Sequence, residues 1–244
     1  MKLQKLLSLT RKAVDEFQLI DAGDKIAIGV SGGKDSLTML YALHGLMRFY
    51  PNPFTLEAIT VDLGHPGFQA DKIKELCDSL NIPFTLVKTD IAPIIFQERK
   101  ETNPCSLCAK MRKGALNTTA KELGCNKIAL GHHGDDAIET LLLNMVHGSK
   151  IATFQPKQYM SRMDMFMIRP MIYLKEQEII DICKNNEIPA VRRVCPNDGV
   201  TQRQEMKELL HQFYRKYPQT QDNFLHALSN LEQVSLWEKD KTGS

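Results

Sequence analysis

Apolar stretches of strand length recur along the chain, KIAIGVS (25 to 31), LEAITVDL (56 to 63), FTLVKTD (84 to 90), KIALGHH (127 to 133) and MFMIRPM (165 to 171), and the first four are almost continuously apolar. Unbroken apolar character suits a strand whose sheet is covered on both faces, so the pattern predicts a parallel sheet sandwiched by helices. Between these runs, DSLTMLYALHGLM, DKIKELCDSL, LCAKMRKGALNTTAKEL and DDAIETLLLNMV have helical apolar spacing and predict right-handed crossovers. The expected fold class is therefore α/β, a doubly wound parallel five-stranded sheet. Ahead of it, KLQKLLSLTRKAVDEFQLI reads as an amphipathic helix with Leu3, Leu6, Leu7, Val14 and Phe17 on or near one face. Residues 148 to 164 lack a clear period, contain Pro156 and read as a loop. After the fifth run come a helix over KEQEIIDICKNNE, an irregular PAVRRVCPNDG, and two helices starting near Gln202 and Thr220.

Composition narrows the class. The 244 residues are 43% apolar and 25% charged, the balance of a globular protein rather than a disordered or fibrous one. We read one domain over 1–244: an N-terminal helix (1–20), an α/β core (21–190), and a cysteine-bearing loop with C-terminal helices (191–244). The opening MKLQKLLSLTRK holds no unbroken apolar signal region, and no apolar run approaches the ~18 residues of a membrane span. A cytoplasmic location is expected, where six cysteines argue against a disulfide scaffold. Net charge is only +2. Basic clusters are local: Lys110, Arg112 and Lys113; Arg192 and Arg193; Arg215 and Lys216.

The first strand run leads into SGGKDS, which is not a Walker loop: three residues, not four, separate Gly29 from Gly33, and Asp35 intervenes between Lys34 and Ser36. A strand, a small-residue turn and a helix still put backbone N–H groups at a helix N-terminus, where an anion binds. Ser31, Gly32, Gly33, Lys34, Asp35 and Ser36 are thus candidate phosphate-binding residues. Other strand tips should meet them: Asp62, Asp90, Gly131, His132, Asp135 and Asp136, whose carboxylates could hold Mg²⁺ against the phosphates. His132 and His133 read as structural or nucleotide-proximal rather than as zinc ligands. The methionines between Met160 and Met171 receive no ligand role.

Cys105 and Cys108 form a C-x-x-C, a spacing that lets two thiolates from one turn reach one metal or cluster. A zinc ribbon would need a second such pair, and a thioredoxin-type pair should open a helix early in a small domain. Cys195, in an irregular polar segment, could complete a three-thiolate site, which would leave an iron–sulfur cluster with one open iron. Cys77, Cys125 and Cys183 fall in or beside apolar-periodic helices and read as core residues.

SGGKDS resembles the signature of the PP-loop ATP pyrophosphatases, which cleave ATP between the α and β phosphates and activate a substrate as its adenylate. With PCSLCAKMRKGAL, KIALGHHGDDAIETLLLNM and MIRPMIYLKEQEI, most of residues 1 to 190 is similar to the tRNA 2-thiocytidine synthetase family. That resemblance implies ATP, Mg²⁺ and a [4Fe-4S] cluster on Cys105, Cys108 and Cys195. It also implies tRNA as substrate, with thiolation of a cytidine in the anticodon loop. Members often carry a second cysteine pair at the later site, where this chain has Arg192, Arg193, Val194 and then Cys195 alone.

In the implied reaction Lys34 neutralises charge on the phosphates, Ser31 and Ser36 donate hydrogen bonds, and Arg112 and Asp136 assist at the base. Adenine would lie by the first two strand tips and Gly131. Lys110, Arg112, Lys113, Arg169, Arg192 and Arg193 would form a basic rim for tRNA. A cysteine desulfurase or free sulfide would supply sulfur, and a homodimer is compatible. The competing readings are a cluster-free adenylating ligase resembling tRNA lysidine synthetase, a sulfur transferase acting on a small molecule or another RNA base, and a nucleotide-binding module without turnover.

Overall fold

The computed structural model describes residues 3–98, 104–188, 191, 195 and 202–237. Helix α1 (Leu3–Glu16) precedes an alternating series: β1 (Lys25–Gly29), α2 (Lys34–Met47), β2 (Thr55–Asp62), α3 (Ala70–Ser79) and β3 (Phe84–Lys88). A short α4 (Ile91–Pro93) runs into a π-helical turn (Ile94–Glu98), and α5 (Pro104–Glu122) leads to β4 (Lys127–Ala129) and α6 (Gly134–Gly148). The chain continues through β5 (Lys157–Met160), β6 (Met165–Ile168), α7 (Glu176–Asn185), α8 (Gln202–Lys216) and α9 (Thr220–Ala227).

The sheet has six strands in the order β3-β2-β1-β4-β6-β5. The expectation of five needs correcting, because the segment read as a loop over 148 to 164 contains β5. That strand pairs antiparallel with β6, from Lys157 opposite Ile168 to Met160 opposite Met165. It lies at the edge and is half-exposed, so it lacks the apolar run that marks the buried strands. The other five strands pair in parallel.

Alternation along each strand sends side chains to two cores. Ile26, Ile28, Leu56, Ala58 and Ile168 pack with Leu40, Leu43 and Ile179 from α2 and α7. Ala27, Ile59, Ile128 and Met165 face the opposite way and pack under Leu116 and Ala120 of α5. Both faces are thus covered, the physical cause of the continuous apolar runs. Cys77 and Cys125 are buried in these cores, and half-buried Cys183 packs against the first of them.

Strand order reverses between β1 and β4, so their carboxyl ends open a crevice at the sheet's switch point, where α/β proteins bind ligands. The C-terminal helices reach this end of the sheet through α6: Ile138 is buried against Met206 and Leu210 of α8. Each such side chain, fully buried, contributes about 1.5–3 kcal/mol. Among the described residues no helix is long and apolar enough to cross a membrane.

Candidate active site

At the end of β1, the Val30 N–H donates to the Ile59 carbonyl at 2.9 Å, and the Thr60 hydroxyl donates to the Val30 carbonyl at 2.7 Å. The loop that follows is stapled from inside. The Ser36 hydroxyl accepts from the Ser31 N–H at 3.1 Å and donates to the Gly33 carbonyl at 3.0 Å. With the Ser31 hydroxyl 3.2 Å away, the Ser36 hydroxyl shapes the loop from within. Ser31 is exposed at the mouth. Gly32 has φ of +79°, a left-handed conformation that favours glycine. A Cβ at Gly131 would lie 3.0 Å from the Asp35 carbonyl carbon, so the loop after β4 approaches the start of α2 at glycine distance.

Lys34, the first residue of α2, is 2.8 Å from Asp35 Oδ1 and 3.0 Å from Glu176 Oε1 at the start of α7. Burial opposes its charge, but the two carboxylates outweigh that cost and hold the ammonium above its usual range. Glu176 is also bound by Lys207 of α8 at 2.6 Å. Against the cost of burial, these two lysines pull the Glu176 carboxyl down to about 2.

On the β4 side, the Asp136 Oδ2 accepts the His133 N–H at 3.0 Å and caps α6, while its Oδ1 lies 3.5 Å from Arg203. Asp135 is not the open magnesium ligand that the sequence suggested. Its two oxygens accept from the Glu176 N–H at 2.8 Å and from Gln221 of α9 at 2.5 Å, and the residue is only 6% exposed. Asp62 has one oxygen on the Gly64 N–H at 2.9 Å, and Asp90 stands exposed before α4. The buried His133 ring has carboxylates of Asp35, Asp135 and Asp136 at 3.8, 3.7 and 3.5 Å, and among the described residues its Nδ1 has no hydrogen-bond partner.

His132 stacks on Phe154 and accepts from Arg169 Nε at 3.3 Å. Burial lowers it to about 4, keeping the ring neutral and able to accept. Arg169 is 5% exposed, lies over the Phe154 ring and donates to the Gln155 carbonyl. It is an internal clamp, which corrects its place on the tRNA rim. Lys110, Arg112 and Lys113 lie exposed on α5, whereas Arg192 and Arg193 lie outside the described residues.

Cys105 and Cys108 sit in the first turn of α5, one helical turn apart, so their side chains share a face. The distant Cys195 lies near enough to Cys108 to act on its thiol. Burial raises the Cys108 thiol; Arg112 opposes the rise, and the neighbouring Cys195 and Cys105 add to it. The route is visible at Val191, whose N–H donates to the Gly32 carbonyl at 2.9 Å and ties this segment to the loop. Among the described residues no three His, Cys, Asp or Glu side chains close on a single metal ion. A cubane cluster offers a different iron to each thiolate and so accepts ligands spread more widely. The all-thiolate donor set fits such a group better than it fits Mg²⁺.

Sequence reasoning missed Glu176, Lys207, Arg203 and Glu139. Glu176 carried the signal of an acidic residue in a helix's first turn, but that signal is satisfied by the helix dipole alone.

A glycine-rich anion loop at the switch point of a parallel sheet defines a nucleotide-binding α/β protein, and the family model of the PP-loop domain matches residues 4–196. Relatives extend the match along the chain. The tRNA-cytidine(32) 2-sulfurtransferase of Citrifermentans bemidjiense is 42% identical over 95% of this chain and 92% of its own length. The protein of the same name from Geobacter sulfurreducens is 39% identical over 95% and 91%. The chain belongs to the PP-loop tRNA-cytidine(32) 2-sulfurtransferase family. A solved structure, the U34-tRNA thiolase NcsA from Methanococcus maripaludis with its [4Fe-4S] cluster, shares the fold with a TM-score of 0.76 at 24% identity. That match covers 96% of this chain and 80% of the other.

Proposed function

We propose that this protein uses ATP to replace the 2-oxo group of a tRNA cytidine by sulfur, at position 32 as in its relatives' names. The observation that carries the reading is the tie from Val191 to Gly32, which hangs the Cys195 segment beside the nucleotide loop. On this reading the three cysteines serve a site beside the activating loop, as sequential adenylation and sulfur transfer require.

ATP would lie with its phosphates at the N-terminus of α2, against the Ser31 to Gly33 backbone and Lys34, and its adenine near the tips of β1 and β2 and Gly131. Asp62 is the candidate carboxylate for the accompanying Mg²⁺, which takes most of its ligands from phosphate and water. The cytidine oxygen attacks the α phosphorus, the bond to the β-phosphate oxygen breaks, and pyrophosphate leaves with its charge facing Lys34. Sulfur then adds at C2 and AMP departs with the former base oxygen. Arg112, on the cysteine face of α5, offers charge to the adenylated base. Asp136, held by the His133 N–H and by Arg203, would take up a proton there. When bound by Cys105, Cys108 and Cys195, a [4Fe-4S] cluster supplies an iron with an open position for carrying sulfur. Lys110, Lys113 and Arg112 form the described part of the tRNA-binding rim.

The test is anaerobic incubation of the iron-loaded protein with ATP, Mg²⁺, sulfide and a tRNA transcript bearing cytidine or uridine at position 32. Mass spectrometry of the nucleosides should find 2-thiocytidine only with the cytidine substrate, together with AMP and pyrophosphate. Pyrophosphate release without thiolation would overturn the sulfur-transfer reading in favour of a ligase.

A further inference from the structure

We propose that Lys207 of α8 is a positioning residue for nucleotide binding, acting on Lys34 through Glu176. The proposal rests on the reading of the loop as an ATP site and adds a helix that lies beyond the residues matched by the PP-loop family model.

The geometry is a relay. Lys207 Nζ lies 2.6 Å from Glu176 Oε1 and 2.6 Å from Oε2, so one ammonium spans the carboxylate. Lys34 Nζ reaches the same Oε1 at 3.0 Å and Asp35 at 2.8 Å. An ammonium has three N–H donors; two carboxylates engage two of them and leave one for a phosphate oxygen. Glu176 and Asp35 therefore aim Lys34, and Lys207 fixes Glu176.

Charge assigns Lys207 a second effect. Lys34, Lys207, Asp35 and Glu176 sum to zero. Without Lys207, two carboxylates face one ammonium, and the net negative charge next to the phosphate site opposes ATP. The relay is anchored to the rest of the site: the Glu176 N–H is held by Asp135, which Gln221 of α9 holds in turn. One helical turn from Lys207, Arg203 binds Glu139 at 3.0 Å and Asp136 at 3.5 Å. Helix α8 thus grips both sides of the switch-point crevice.

The experiment is a double-mutant cycle on the full chain, reading the Kd for ATP with Mg²⁺ by calorimetry and the melting temperature alongside. Lys207→Met, which keeps most of the apolar stem, should weaken ATP about tenfold. Lys207→Arg should restore binding to within about threefold of the parent, and Glu176→Gln, which weakens the grip that aims Lys34, should itself weaken ATP about tenfold. In the Glu176→Gln background, Lys207→Met should change Kd by less than about threefold further, because the carboxylate it fixes is gone. Equal weakening in both backgrounds would overturn the relay in favour of a direct phosphate contact. A lower melting temperature with unchanged Kd would leave Lys207 a structural residue only and also overturn it. Lys207→Gln provides the same comparison if the methionine variant fails to fold. No ATP binding by the parent would remove this proposal and the proposed function together, whereas ATP binding without tRNA thiolation would remove only the latter.

Discussion

The backbone N–H of Val191 donates to the carbonyl of Gly32 at 2.9 Å, and this bond joins the nucleotide loop to the segment that carries Cys195. A Cβ on Gly32 would meet the Val191 Cβ at 2.9 Å and Ile73 Cδ1 at 3.1 Å. The Val191 Cβ is fixed to its backbone and cannot swing aside. The two halves of the proposed reaction therefore share one backbone contact.

Gly32→Ala should damage both halves at once. The φ of +79° already disfavours an L side chain, and the overlap with Val191 adds to that strain. We expect a stability loss of about 1–3 kcal/mol, weaker ATP binding and reduced iron content. Denaturant unfolding, calorimetry and iron analysis check the three effects; a variant with normal ATP affinity and full iron would refute the shared contact.

The cysteines should divide cleanly. Cys105→Ser, Cys108→Ser and Cys195→Ser are each expected to lose most of the roughly four irons and four sulfides of one cluster per chain. Cys125→Ala and Cys183→Ala should retain them, because Cys125 is in the core and Cys183 is engaged by Thr38 at 3.2 Å and the Lys34 carbonyl at 3.8 Å. Iron and sulfide analysis with an absorption spectrum after anaerobic purification decides the matter.

Glu139 should leave a mark on stability against pH. Burial and the neighbouring Asp136 push its carboxyl up to about 7, against the pull of Arg203. The folded protein then holds a proton that the unfolded chain releases near 4.5, so this stabilisation is complete below about 4.5 and is lost as pH rises through about 7. In Glu139→Gln that loss is absent. The unfolding free energy of the variant relative to the parent should climb across this window, by at most about 1.4 kcal/mol per pH unit, and level off above it. Urea unfolding at a series of pH values measures the difference; a flat difference would show that Glu139 ionises normally.

Salt dependence should separate the surface cations from the buried one. Arg112→Ala and Lys113→Ala should each lower the slope of log affinity for tRNA against log salt, by roughly 0.7–0.9 for each phosphate that is no longer neutralised. Arg169→Ala should leave the slope intact and instead cost about 2–4 kcal/mol of stability, because it strips a buried donor from His132 and the Gln155 carbonyl. A reduced slope for Arg169→Ala would return it to the rim.

What the sequence determined by itself was local or periodic. The five parallel strands could be read because burial on both faces demands continuous apolar runs, and the nucleotide loop because its strand, turn and helix are consecutive. The two C-terminal helices, Gln202–Lys216 and Thr220–Ala227, also start where their spacing suggested. Tertiary structure decided what depends on distant partners. Lys157–Met160 becomes a strand because the edge of β6 offers it hydrogen bonds, although its own residues alternate too weakly to show it. Arg169 reads as a surface cation until Phe154 and His132 enclose it. Asp135 and Asp136 are neighbours in sequence, yet the fold commits the first to holding α7 and α9 and the second to capping α6. The meeting of Lys34 with Glu176 and Lys207, and of Cys108 with Cys195, follows from how α7, α8 and the Val191 segment pack around the switch point. Spacing within a motif fixes which atoms can act together locally, but only packing brings charges from separate elements within bonding distance.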